Sequence, residues 1–266
     1  MSKRDRDGNM RTNESKPKPE APKSQYTPMF EKFRNELDEH HDRRERIIKA
    51  SRDNLHLPEV NPALTVFTSH TGYLHPSRVN KLGELPNFAK KDIATRMEEI
   101  KGHLSAIEGD IQGVNRYRYA YSLRCLEELV EALSFSHYLK TQTLISMEDT
   151  AAAVPANVLI TENDYMYGLF DLFGEMMRFA TVTTAQTGQL AGEGERNILT
   201  DIHELSSCFE ILPEIPTKDF RGKMEVMRTS VRKVERLGYG LAIRGTERPK
   251  GWVPDMKEDF DPSSLD

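Results

Sequence analysis

Apolar residues return every three or four positions in this chain, over stretches far longer than a strand. The segment "MFEKFRNELDEHHDRRERIIKASRD" opens the pattern. Phe30, Phe33, Leu37, His41, Arg44, Ile47 and Ile48 share its spacing, and Pro28 stands just before its start. "AKKDIATRMEEIKGHLSAIEGDI" resumes the pattern, which continues to about Ser146. "ENDYMYGLFDLFGEMMRFATVTTAQTG" ends near Gly188, and "GERNILTDIHELSSCFEIL" and "RGKMEVMRTSVRKVERLGYGLAIRG" supply two more helical runs. "SMED", with Ser146 three residues before Asp149, has the form of a capping box and predicts a short helix. No alternating strand series and no long repeat competes with this periodicity. The expectation is an all-α chain of roughly six or seven helices.

Breaks in the pattern set the boundaries. Residues 1–28 are rich in Lys, Arg, Asp, Asn and Pro and offer little to bury, so they predict a disordered arm in which "KRDR" is a feeble nuclear-import candidate and by default solvated tail. Within residues 54–88, Pro58, Pro62, Pro76, Pro86, Gly72 and Gly83 break any long element, which predicts an irregular segment. Pro249 and Pro254 mark residues 249–266 as a tail, leaving 29–248 as the helical domain. Among 266 residues there is no apolar run of about 18, so no membrane span is expected. No apolar stretch follows "MSKRDRDGNMR", so no secretory signal is expected either. Cys125 and Cys208 are too few for a disulfide framework or a cysteine zinc site, and Cys208 in "SSCFEIL" reads as inert core. Two cysteines make a reducing interior the natural compartment, and the localisation expected is cytoplasmic and nuclear. A net charge of −5 requires that any nucleic-acid binding come from a local basic patch.

Two stretches carry chemistry. In "LEELVEALSFSHYLKTQTLIS", a helical wheel puts Leu126, Leu129, Val130, Leu133 and His137 on one face. Glu128 and Glu131 fall opposite, with Glu127 at the border. A solvated face is the default reading, but Phe135 and Tyr138 share the glutamates' side, which points to a second, partly covered surface. In the later helix Asp164, Gly168, Asp171, Glu175 and Arg178 form one stripe at spacings of three and four. Asp171 and Glu175 are like charges one turn apart, mutually repulsive unless a cation lies between them. Gly168 and Gly174 weaken the helix and would let a backbone or ligand come close. Mg²⁺ or Mn²⁺, which take oxygen donors, would suit such carboxylates.

The second stretch is "NRYRYAYSLR", where Arg116, Arg118 and Arg124 alternate with Tyr117, Tyr119 and Tyr121 just ahead of the glutamates. Cations attract phosphates and aromatic faces stack on unpaired bases, yet such alternation is also ordinary helix surface. Arg124 falls near the side of Glu128 and Glu131, where it pairs either with Glu128 or with RNA. Other motifs carry less. His40 and His41 sit among alternating charges. "IHELS" lacks the second histidine of a zincin, and no Glu-x-x-His pair of a di-iron site accompanies the acidic residues.

"EELVEALSFSHYLKTQTLIS", "DYMYGLFDLFGEMMR" and "VRKVERLGYGLAIRG", in this order, resemble the translin superfamily, and within it the factor X type of subunit. The resemblance covers most of residues 29–248 and implies a translin-like helical bundle. It further implies a hetero-oligomer with translin and metal-dependent endoribonuclease activity on single-stranded RNA. Matched within the motifs, the family's metal-binding and catalytic positions fall on Glu128, Glu131, Asp171 and Glu175, with Mg²⁺, or Mn²⁺, as the ion. Glu127 is a neighbour outside that set. The family's nucleic-acid-contacting region falls around Arg116, Tyr117, Arg118 and Arg124. The resemblance falters after "SRD" at Ser51 to Asp53, where the family continues as helix and this chain has "NLHLPEVNPALTVFTSHTGYLHPSRV", either an insertion or a mis-joined piece of the gene. The rival to a nuclease subunit is an RNA-binding or assembly scaffold of the same fold without chemistry.

Overall fold

The computed structural model describes residues 24–56, 82–83, 85, 87–193 and 196–244. By backbone proximity the chain falls into two units, residues 1–42 and 43–266. The first helix, α1 (Thr27–His56), belongs to both. Ser24 and Thr27 close a turn before it, the Ser24 amide donating to Thr27 Oγ1 at 2.7 Å. In the first unit, Met29, Phe30, Phe33 and Leu37 are exposed, and the rings of Phe30 and Phe33 meet edge-on at 6.0 Å.

The second unit is built from the end of α1 and seven more helices among the described residues. These are α2 (Asn87–Ile107), α3 (Val114–Arg118), α4 (Cys125–Thr141), α5 (Met147–Ala152), α6 (Glu162–Thr187), α7 (Ile198–Glu210) and α8 (Lys218–Arg244). The expected all-α class holds. Among the described residues, the extended structure is a two-residue ladder, Gly192–Glu193 against Arg196–Asn197. No described helix is long and apolar enough to cross a membrane.

Helix α4 is the partition between two apolar cores. Leu126, Leu129 and Val130 pack with Ile47, Ile100, Leu104 and Ile107 of α1 and α2. Phe135, Tyr138 and Leu139 pack with Leu169, Phe170, Phe173 and Met176 of α6, Ile202 and Phe209 of α7, and Phe220, Met224 and Met227 of α8. Phe170 anchors the second core, its ring 4.6 Å from Phe209 and 5.7 Å from Phe220. Burying aliphatic and aromatic side chains on two sides is what fixes α4 in place. It also leaves its glutamates only a narrow strip between the cores.

Local signals set the helix ends. Ser146 caps α5, accepting from the Asp149 amide at 3.0 Å, as "SMED" predicts. Thr161 and Asp164 form a reciprocal capping box at the start of α6, and Gly188, at φ 72°, closes it. Gly168 matters for packing: a Cβ there would stand 2.5 Å from Val130 Cβ and 2.6 Å from the Glu127 carbonyl oxygen. The bare backbone of α6 therefore lies against α4 beside the glutamates. Gly174 faces open space.

Three expectations need correction. The helical run expected from "AKKD" to about Ser146 is interrupted: 3₁₀ turns at Glu108–Ile111 and Ala120–Ser122 flank α3, and Gly113, at φ 56°, turns the chain between them. The arginine–tyrosine stretch is thus a kinked strap, not an extension of α4. The irregular segment expected at 54–88 is helical at both edges, since α1 reaches His56 and α2 starts at Asn87. Most of its interior lies outside the described residues, as do residues 1–23 of the expected arm and the tail 249–266. Cys208 is exposed rather than core, because α7 turns Ile202 and Phe209 inward and leaves Cys208 on the outer side.

Candidate metal centre

Glu128 and Glu131 of α4 and Asp171 and Glu175 of α6 line one cavity of about 550 Å³, together with Glu127, Arg124, Phe170, Gly174, Lys223 and Val226. All four predicted carboxylates are brought to a common space, although 40 or more residues separate the pairs in sequence. The close approach at Gly168 sets the helix spacing, and the one-turn intervals within each pair do the rest. The default expectation of a solvated glutamate face is overturned: the side shared with Phe135 and Tyr138 is covered by α6 and α8.

The electrostatics are those of crowded, partly desolvated acids. Burial, then the charge of Glu128, with smaller contributions from Glu175 and Asp171, pushes the Glu131 carboxyl up to about 9. Burial raises Glu175 to about 7 against the opposing pull of Arg178, whose Nη1 lies 3.5 Å from Glu175 Oε1. Burial likewise holds Glu127 near about 6, with Arg124 and Lys223 drawing it down. Asp171 is in a different condition. Lys223 of α8 reaches both of its carboxylate oxygens, Nζ to Oδ1 at 2.6 Å, and lies 6.0 Å from the centre of the Tyr167 ring.

An oxygen-only donor set, crowded and mutually repelling, has the chemistry of a hard divalent cation site. The side chains as they lie do not complete one: among the described residues, no group of three or more His, Cys, Asp or Glu is arranged to hold a metal ion. Lys223 engages Asp171, Arg178 draws on Glu175, and the charge of Glu128 crowds Glu131. Lys223 is the residue that sequence reasoning missed. Its signal was faint: it directly precedes Met224 on a helix whose inner face is Phe220, Met224 and Met227, which places it at the edge of that face.

The predicted RNA-contacting residues divide. Tyr117 and Arg118 are exposed on the strap, and Tyr121 is the most exposed aromatic among the described residues at 87%. Arg124 is exposed as well, but it pairs with Asp219 at 3.0 Å and Glu127 at 3.9 Å, not with Glu128. Arg116 is a correction. Only 2% exposed, it donates through Nε to the Leu159 carbonyl at 2.8 Å and through Nη2 to Asp164. Asp164 also accepts from the Thr161 amide and hydroxyl. The kink in the strap turns Arg116 inward, where it ties the strap to the start of α6 and presents no charge to a phosphate. A second cavity of about 440 Å³, lined by Tyr117, Tyr121, Tyr167 and Asn163 among others, shares Arg124 and Glu127 with the acidic one.

Comparison with known proteins bears on the family and the fold. The family model described as "Translin family" matches residues 42–245. "Translin-associated protein X" of Rattus norvegicus is 25% identical, over 85% of this chain and 82% of that protein. "Translin-associated protein X homolog" of Schizosaccharomyces pombe is 27% identical, over 82% of this chain and 89% of its own length. "Translin" of Homo sapiens is 28% identical over 55% of this chain and 65% of itself. Among solved structures, "Crystal structure of apo-NeC3PO" superposes with a TM-score of 0.54 at 16% identity, covering 78% of this chain and 94% of that one, a likeness of fold.

Proposed function

The chain belongs to the translin family, and from that premise we propose that it is the catalytic subunit of a metal-dependent endoribonuclease. It acts on single-stranded RNA, in a hetero-oligomer with translin, in cytoplasm and nucleus. Its relation to translin-associated protein X supports the choice of partner. The observation that carries the chemistry is the meeting of Glu128, Glu131, Asp171 and Glu175 in one cavity. These four residues would hold Mg²⁺ or Mn²⁺. Such an ion, when bound, polarises a phosphate oxygen and acidifies a water for in-line attack.

The chain's own groups do the rest. Glu127 lies beside the four carboxylates. With its carboxyl near about 6 it is ionised at neutral pH, yet basic enough to accept the proton of the attacking water. Tyr117, Arg118, Tyr121 and Arg124, on the strap next to the cavity, offer stacking faces and positive charge to an unpaired strand.

One observation favours the rival scaffold reading: among the described residues, no three acidic side chains are arranged to hold one metal ion, and Asp171 is engaged by Lys223. Cleavage separates the two readings. The complex with translin is given labelled single-stranded RNA and Mg²⁺, with wild-type chain or with Asp171→Asn. The nuclease reading expects the variant to lose at least about a hundredfold in rate. Undiminished cutting removes the cavity from consideration.

A further inference from the structure

Lys223 holds both oxygens of Asp171 from the facing helix α8. Its side chain is 19% exposed and that of Asp171 27%, so the pair sits in the cavity wall rather than out in solvent. The cavity gathers five carboxylates, Glu127, Glu128, Glu131, Asp171 and Glu175, and two cations, Arg124 and Lys223. Arg124 is occupied at the rim with Asp219 and Glu127. Of the two cations lining the cavity, Lys223 is thus the one seated on a carboxylate proposed to hold a metal; Arg178, outside the lining, lies 3.5 Å from Glu175, and the face of Tyr167 supports Lys223 from the side.

An ammonium in that position has two consequences. It offsets the repulsion that four acids on two tightly packed helices impose on each other. It also uses the oxygen lone pairs that a divalent ion would need. We propose that Lys223 is a tethered counter-cation that competes with the divalent ion for Asp171. Metal loading is then an exchange, in which the ammonium leaves the carboxylate as the ion takes it. This rests on the metal-site reading above and adds to it a residue that sets metal affinity.

The test is direct binding of Mn²⁺ to the full chain in complex with translin, measured by calorimetry and by the electron-spin signal of free Mn²⁺. Three forms are compared: wild type, Lys223→Met and Arg124→Met. Arg124→Met removes an equal charge from the same cavity without freeing Asp171. Competition predicts that Lys223→Met binds Mn²⁺ roughly three- to tenfold more tightly than wild type, and that Arg124→Met changes affinity by less. Lys223→Gln, which also removes the cation, carries the same expectation where Lys223→Met folds poorly, and Lys223→Arg, which keeps it, retains the wild-type affinity. Wild type and Lys223→Met binding equally, or a gain as large in Arg124→Met, overturns the competition while leaving the metal site standing. No binding by any form overturns the metal reading itself, and the competition with it.

Discussion

Asp164 and Asp171 stand two turns apart on α6, and each carries a basic partner from another part of the chain. Arg116 covers Asp164 in the interior, with Thr161 donating to Asp164 and the Leu159 carbonyl accepting from Arg116. Lys223 covers Asp171 at a cavity wall, among glutamates whose charges nothing nearby fully offsets. The first pair is closed in on itself: Arg116 donates to Asp164 and to the Leu159 carbonyl, Asp164 Oδ2 also accepts from Thr161, and the work of the pair is to hold the strap on α6. The second is open, and crowded, partly desolvated charges of this kind are enriched at functional sites. The same helix carries both because its first turn is a cap and its middle faces a gap between two cores.

The sharpest way to break this contrast is to remove the closed pair's cation. Arg116→Met leaves Asp164 buried beside an apolar side chain, and should lower unfolding stability by about 3–5 kcal/mol in denaturant titration. The surviving folded protein should bind single-stranded RNA at low salt as wild type does. A salt-sensitive loss of affinity would instead make Arg116 a phosphate contact. A smaller effect sharpens the open side. Glu131 and Glu175 have carboxyls raised to about 9 and about 7 from an ordinary 4.5. Above pH 4.5 the unfolded chain releases protons that the folded chain retains, so the folded state binds more of them and stability falls as pH rises through that window. With divalent ions chelated, wild-type thermal stability should therefore decline from pH 5 towards pH 9. Glu131→Gln should be the more stable form at pH 8, by about 2–4 °C, and indistinguishable from wild type near pH 4. A wild-type profile flat from pH 5 to 9 would mean that the carboxylates are not crowded.

Much of this was legible beforehand, and particular residues show why. Apolar spacing located the long helices, and "SMED" its cap, because both are local properties. The four carboxylates were legible through their motifs and their one-turn spacing. The detail that Phe135 and Tyr138 share the glutamates' side gave the correct sign that this face is covered. Arg116 was not legible. Whether an arginine between tyrosines points out or in depends on the kink at Gly113 and on an aspartate 48 residues later. Cys208 misled because the residues around it are apolar while its own position on α7 is not inward. Lys223 was hidden for a similar reason: its partner is 52 residues away on another helix, and a lysine at the edge of an apolar face normally extends into water.

The central claim, that carboxylates of α4 and α6 share one hard cation, is tested most directly by diffraction from crystals of the translin complex grown with Mn²⁺, recorded for anomalous signal. The account predicts one peak in the cavity, within roughly 2.5 Å of oxygens from at least one glutamate of α4 and from Asp171 or Glu175 of α6, with the Lys223 ammonium withdrawn from Asp171. A cavity with no peak at saturating Mn²⁺, and Lys223 still seated on Asp171, would contradict it.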